Sequence, residues 1–235
     1  TAVAGGGWAI QAQHLTAAGV TAPGWPALGR QLGSARDGAA APQLVSDGQG
    51  GFLAFWSDWD DTRGAYELAA QRVTPTGGIY PTWPAAGKLL GIAVEPGDGA
   101  AVADGNGGAV IGWLNRGAGS SLAVRAQRIT AHGSVAAGWT LQGLTLATTA
   151  LADRPSVATN GDGAAFVAWT DQRGPDPDIY VSRITLEGAI AAGWPTRGRK
   201  LCGANGDQNW PWAVPDDSGG AVIVWYDYRR GAWEP

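Results

Sequence analysis

A chain of 235 residues has room for one large all-β domain or two small ones, each with a real core. Its 38 glycines and 13 tryptophans, beside only 15% charged residues, argue against disorder and for a turn-rich fold with large apolar anchors. A net charge of -4 supplies no basic surface for counterion release, which argues against nucleic acid and anionic membranes as partners.

No apolar run approaches the roughly 20 residues that span a bilayer, so no membrane span is expected. The single cysteine, Cys202, can close no disulfide within the chain, and with two histidines it makes no common zinc site. No cofactor is expected. The start Thr1-Ala2-Val3-Ala4 is not a signal peptide, and the absence of methionine reads as a processed product or a fragment.

Taken in chain order, the elements repeat. Residues 9–16 read as a strand ending near His14, followed by a loop with Trp25 and a short strand to Leu32. The first full unit, 42–98, opens with a strand A over 42–45 and turns at Asp47-Gly48-Gln49-Gly50-Gly51. An apolar strand B then runs over 52–56 to Trp56. Strand C ends at Arg72, a loop carries Trp83, and strand D covers 88–90. The unit 99–154 repeats this with Asp104-Gly105-Asn106-Gly107-Gly108, Trp113, Arg128 and Trp139, and the unit 155–210 with Asn160-Gly161-Asp162-Gly163, Trp169, Arg183 and Trp194. The last, 211–235, holds only A and B, with Asp216-Asp217-Ser218-Gly219-Gly220 and Trp225. The strand-B tryptophans recur at steps of 57, 56 and 56 residues, and the other marks keep the same step.

Strand B lacks the in/out alternation of a sheet with one wet face, so it is expected to be covered on both sides, as in radially packed blades. The chain begins with strands C and D and ends with A and B. Residues 211–226 and 8–32 are therefore expected to complete one another in one sheet. The predicted fold is all-β: a single β-propeller over 1–235 with four four-stranded blades, the last a composite of the N- and C-terminal strands (211–235 completed by 1–41). A part of a larger propeller would have similar ends.

The segment Trp169-Thr170-Asp171-Gln172-Arg173-Gly174, with Asp178-Ile179-Tyr180 and Gly193-Trp194-Pro195, resembles repeats in large secreted bacterial proteins that look propeller-like. The resemblance covers nearly the whole chain but weakens in the second unit, where Leu114-Asn115-Arg116 follows Trp113 and Ala123 stands for Asp178. It implies an extracytoplasmic location (secreted, periplasmic or cell surface) and carries no activity.

No catalytic constellation stands out. His14 occupies the place of Arg72, Arg128 and Arg183 and reads as a strand terminator, and His132 reads as a turn residue. The four glutamates mark no acid and base pair for glycoside cleavage. Asp58-Trp59-Asp60-Asp61 and the group Asp171, Asp176, Asp178 lack EF-hand spacing, and Arg173 among the latter reads as an ion-pair partner that pins its turn. The Asp-Gly segments read as hairpin turns, since no helix follows them to bind phosphate.

Eight tryptophans recur at two positions of the unit and read as packing between blades. Trp8, Trp59, Trp210, Trp212 and Trp233 do not recur. Blade topology puts B–C loops and D–A connections on one face, so Trp8, Trp59, Trp210 and Trp233, with Asp58, Asp60 and Asp61, form the predicted ligand site. Trp212, inside strand A, is its doubtful member. The functional reading is a non-catalytic extracytoplasmic module that binds a glycan or other extracellular ligand. The alternatives are a subunit that docks to protein chains in a larger assembly, and a glycan-acting hydrolase. An extended exposed apolar patch favours docking, and a concave pocket with convergent polar groups favours glycan binding or cleavage.

Overall fold

The computed structural model describes residues 9–33, 40–93, 99–116, 121–160 and 164–229. All regular elements among them are strands. A hairpin of β1 (Gln11–Ala12) and β2 (Arg30–Gln31) is followed by three four-stranded antiparallel sheets. The first holds β3 (Ala40–Ser46), β4 (Phe52–Asp60), β5 (Ala65–Val73) and β6 (Lys88–Ala93). The second holds β7 (Gly99–Ala103), β8 (Ala109–Arg116), β9 (Leu122–Ile129) and β10 (Leu144–Thr149). The third holds β11 (Ala152–Thr159), β12 (Ala165–Asp171), β13 (Asp178–Ile184) and β14 (Arg199–Cys202), and a pair of β15 (Gln208–Pro215) and β16 (Ala221–Asp227) ends the chain.

The A–B–C–D unit read from the sequence is thus present three times. The composite fourth sheet is not: β1–β2 and β15–β16 are separate two-stranded sheets, which overturns the expected joining of residues 8–32 with 211–226. Each hairpin packs on the sheet next to it in sequence. Trp25 and Leu32 share a core with Ala54, Trp56 and Ala69 of the first sheet, whereas β15 lies against β11, β12 and β13. With no strand B beside it among the described residues, strand C of the first hairpin shrinks to the two paired residues of β1.

Adjacent sheets share apolar layers. Leu53 and Phe55 meet Ala109 and Ile111 between the first and second, and Val110 meets Val157 and Val167 between the second and third. Trp56, Trp113 and Trp169 are 2%, 1% and 0% exposed. Trp225 is only half-buried, contrary to the expected equivalence, because among the described residues no strand C or D lies beside it.

The second set of tryptophans joins one sheet to the next. Each unit turns between strands C and D through Thr-x-x-Gly: residues 16–19, 74–77, 130–133 and 185–188. In every copy the glycine N–H donates to the threonine carbonyl, at 2.9 to 3.0 Å, and its φ lies between 69° and 80°. Three of these turns receive an indole from the preceding unit. The Nε1 of Trp25 donates to the Pro75 carbonyl at 2.9 Å, that of Trp83 to Ala131 at 3.1 Å, and that of Trp139 to Leu186 at 2.9 Å. The rings lie so close to Gly77, Gly133 and Gly188 that a Cβ there would sit 2.9, 2.7 and 2.8 Å from ring carbons. Glycine serves both the left-handed turn and the close approach.

An aspartate closes each Asp-led A–B turn. Asp47 Oδ1 accepts the N–H groups of Gln49 and Gly51, and Oδ2 takes the guanidinium of Arg72 at 2.9 Å, both side chains being almost fully buried. Arg128 meets Asp104 in the same way at 2.9 Å. Arg72 also donates to Ala131 O at 3.3 Å, the carbonyl that accepts Trp83. Just upstream, bulges in β3 and β15 place Ala41 (φ 53°) and Trp210 (φ 54°) in the left-handed region before Pro42 and Pro211.

Trp169→Ala should cost about 3–5 kcal/mol in denaturant unfolding through lost burial and a cavity, whereas Trp212→Ala, at 72% exposure, should stay within about 0.5 kcal/mol. Burial pushes the Asp47 carboxyl up, but the Gln49 N–H, the Arg72 guanidinium and the Gly51 N–H together hold it below its ordinary 3.8. A carboxyl lowered in the folded state stabilises above that value and loses its contribution as pH falls below it. The urea midpoint should therefore fall on acidification below about pH 4, and Asp47→Asn should lose about 3–5 kcal/mol at neutral pH, leaving Arg72 unpaired, with a shallower acid limb.

Candidate functional site

The predicted site residues do not come together as one platform among the described residues. Trp8 and Trp233 lie outside them. Trp59 is a strand residue rather than a loop residue. The β4–β5 pairing continues through Asp58↔Glu67, Trp59↔Tyr66 and Asp60↔Ala65, so the B–C turn shrinks to residues 61–64. Trp59 is half-buried edge-on against Tyr66, with ring centroids 5.1 Å apart. Asp58 and Asp60 are buried, and of the three carboxylates only Asp61 is exposed.

Asp60 organises its own turn. Its Oδ1 accepts the Thr62 N–H at 2.9 Å and the Thr62 hydroxyl at 2.6 Å, and Arg63 approaches Oδ2 at 3.3 Å. The Thr62 hydroxyl bond is the leading cause that holds the Asp60 carboxyl below its ordinary range. Arg63 also pairs with Glu67. The third sheet repeats the pattern: Asp171 faces Asp178 across β12 and β13, Arg173 pairs with Asp171, and Lys200 donates to Asp178 at 2.6 Å, which pushes the lysine up. In the last pair, Arg229 on Asp227 drives that carboxyl far down. These carboxylates hold cations of their own or the following strand at the B–C ends, which agrees with Arg173 as a turn-pinning partner. Among the described residues, no three His, Cys, Asp or Glu side chains gather as metal ligands.

Trp210 is 47% exposed and sits in the β15 bulge. Its backbone N–H donates to Thr170 Oγ1 at 3.1 Å, its indole N–H donates to Asp153, and its ring meets Tyr226 edge-on at 5.4 Å. It lies beside a surface that the sequence reading set aside. Strand β15 alternates buried Pro211 and Ala213 with exposed Trp212 and Val214. In register across β16 lie Val224, opposite Trp212, and Val222, opposite Val214. Trp212, Val224, Tyr226, Val222 and Val214 are 72%, 61%, 58%, 53% and 49% exposed, so one whole face of this pair is apolar and open. Strand β16 is therefore covered on one side only, contrary to expectation. Its sequence is apolar at nearly every position, so alternation carried no sign of which side would be open.

At the other end of the stack, an open groove of about 540 Å³ runs between the first hairpin and β3–β4. Ile10, Leu15, Trp25, Leu44, Phe52 and Ala54 line much of it, together with Gln11 and His14, and among the described residues no carboxylate lines it. By chemistry it is an apolar slot with an exposed strand edge.

No family model and no curated protein matches the chain. Three solved structures are similar in part. An endo-arabinase from Bacteroides thetaiotaomicron is 13% identical, over 82% of this chain and 71% of that one, with a TM-score of 0.45. An endo-1,4-beta-xylanase from the same organism is 14% identical, over 80% and 65%, at 0.39, and a Hadza microbial sialidase is 11% identical, over 78% and 39%, at 0.42. At TM-scores this low, nothing about this chain's chemistry follows from them. No helix among the described residues is long and apolar enough to cross a membrane.

Proposed function

We propose that this chain is a non-catalytic extracytoplasmic module that docks protein through the open face of β15–β16. The observation that carries the reading is the ladder of Trp212, Val224, Val214 and Val222, continued by Tyr226, at exposures of 49% to 72%. A contiguous apolar face with exposed aromatic rings is the composition of the core of a protein interface. The extracytoplasmic placement rests on the resemblance to secreted repeats.

A second reading has one observation in its favour. Trp210, Trp212 and Tyr226 expose three rings on one sheet, and Asp153 sits beside the Trp210 indole, a combination that suits a sugar ring. The two readings separate in one experiment. A photo-crosslinker at Val224 should trap a protein neighbour in the native source, and Trp212→Glu should abolish the product while leaving thermal unfolding unchanged. A glycan-array signal that is lost on Trp212→Ala, with no protein crosslink, would overturn docking in favour of sugar binding.

A further inference from the structure

We propose that the partner on the β15–β16 face is a second copy of this chain, seated head to tail, with its first hairpin and open groove completing the sheet that β15–β16 begins. The proposal rests on the docking reading above and names its partner. It follows from extending one step further the junction that the chain already uses between its own sheets.

Three matched sets of groups are left over at the two ends. The first is the indole and its turn. Trp25, Trp83 and Trp139 each place a ring on the glycine of the next Thr-x-x-Gly turn, but Trp194 meets no such turn among the described residues. It is half-buried, rests edge-on against Phe166, and finds no acceptor for its N–H among the described residues. Among the described residues, the turn of residues 16–19 receives no indole. Gly19 has φ 75°, like its counterparts, and a Cβ there would meet nothing within 4 Å. The neighbours of the two groups agree. Gly24 and Gly138 abut the backbone of the next turn at Thr76 and Glu187, whereas Gly193 abuts nothing.

The second set is the ion pair. Asp47 and Asp104 close their turns and take Arg72 and Arg128 from strand C. Asp216 closes its turn identically, accepting Ser218 and Gly220 N–H groups at 2.8 Å, and has no cationic partner among the described residues. The strand-C residue left over is His14, exposed at the position of Arg72.

The third set is the apolar layer. Val222 and Val224 stand before Trp225 as Leu53 and Phe55 stand before Trp56, and Val214 pairs with Val222 as Val45 pairs with Leu53. Val45, Leu53 and Phe55 pack on Ala101, Ala109 and Ile111 of the following sheet. The first-sheet counterparts of those three are Leu44, Phe52 and Ala54, and these line the open groove. The exposed face and the groove are thus the two halves of one junction, and the edges of β16 and β1 that pair with no described strand meet. Within one chain the halves stay apart, with Leu44 63% and Val224 61% exposed. A heterologous contact of this kind propagates from copy to copy unless its rotation closes.

Sedimentation tests the proposal on the purified full chain. The wild type should show concentration-dependent species at multiples of 24.0 kDa. Val224→Lys removes the face and Leu44→Lys the groove, both at exposed positions that leave the fold intact. Each variant alone should remain at the single-chain mass, and an equimolar mixture should form a species of twice that mass, since each retains the half the other lacks. Trp194→Ala and Asp216→Asn should each weaken association about tenfold, the loss expected for one hydrogen bond of the junction. A Leu44→Lys chain that still self-associates would show a face-to-face contact, and a mixture that stays at 24.0 kDa would show no junction between copies; either overturns the proposal. In the second case a Val224 crosslink to a different protein would leave the docking reading standing.

Discussion

The fold depends on one repeated contact: an indole laid on a left-handed glycine in the next unit, with its N–H on a carbonyl of the same turn. The contact ties together two requirements that would otherwise compete. A tight C–D turn needs a residue at positive φ, and a flat ring needs a surface without a Cβ. Glycine at 77, 133 and 188 meets both. Around this contact the rest of the junction falls into place. At Ala131 a single carbonyl receives Trp83 and Arg72 together, so the indole contact and the buried Asp47–Arg72 pair are coupled through one acceptor. Removing either partner changes the setting of the other, and their energies will not add.

Much of this was legible in the sequence because every unit solves the same local problem. The steps between Trp56, Trp113, Trp169 and Trp225, the Asp-Gly turns and the closing arginines needed no knowledge of neighbours, and the apolar strand B over 52–56 falls within β4. The ends were not legible, because whether β15–β16 joins β1–β2 depends on contacts between segments about 200 residues apart.

The candidate site was legible only in part for the same reason. Trp59 belongs to a strand only because Tyr66 and Ala65 continue the ladder opposite it, and pairing across a turn is invisible to a reading by turn residues alone. Trp212 is the doubtful member of the predicted site because it lies inside strand A, yet it is the more exposed of it and Trp210, since no described sheet lies in front of its face. In β16 both alternate sets, Val222 with Val224 and Ile223 with Trp225, are apolar. Which of them becomes surface is decided by the third sheet, not by the strand.

The stacking of sheets, each packed on its sequence neighbours, also governs how the molecule comes apart. In such an array local opening costs the intrinsic stability of a unit plus its junctions, and a terminal unit has one junction where an interior unit has two. Amide protection should then form a gradient along the chain rather than a single plateau. The slowest exchange belongs to the middle sheet at Val110, Val124 and Ala126, each fully buried between two neighbours. The two-stranded ends, with one flank each, are the hinges at which the array opens first and at which any added unit would confer the largest gain in cooperativity.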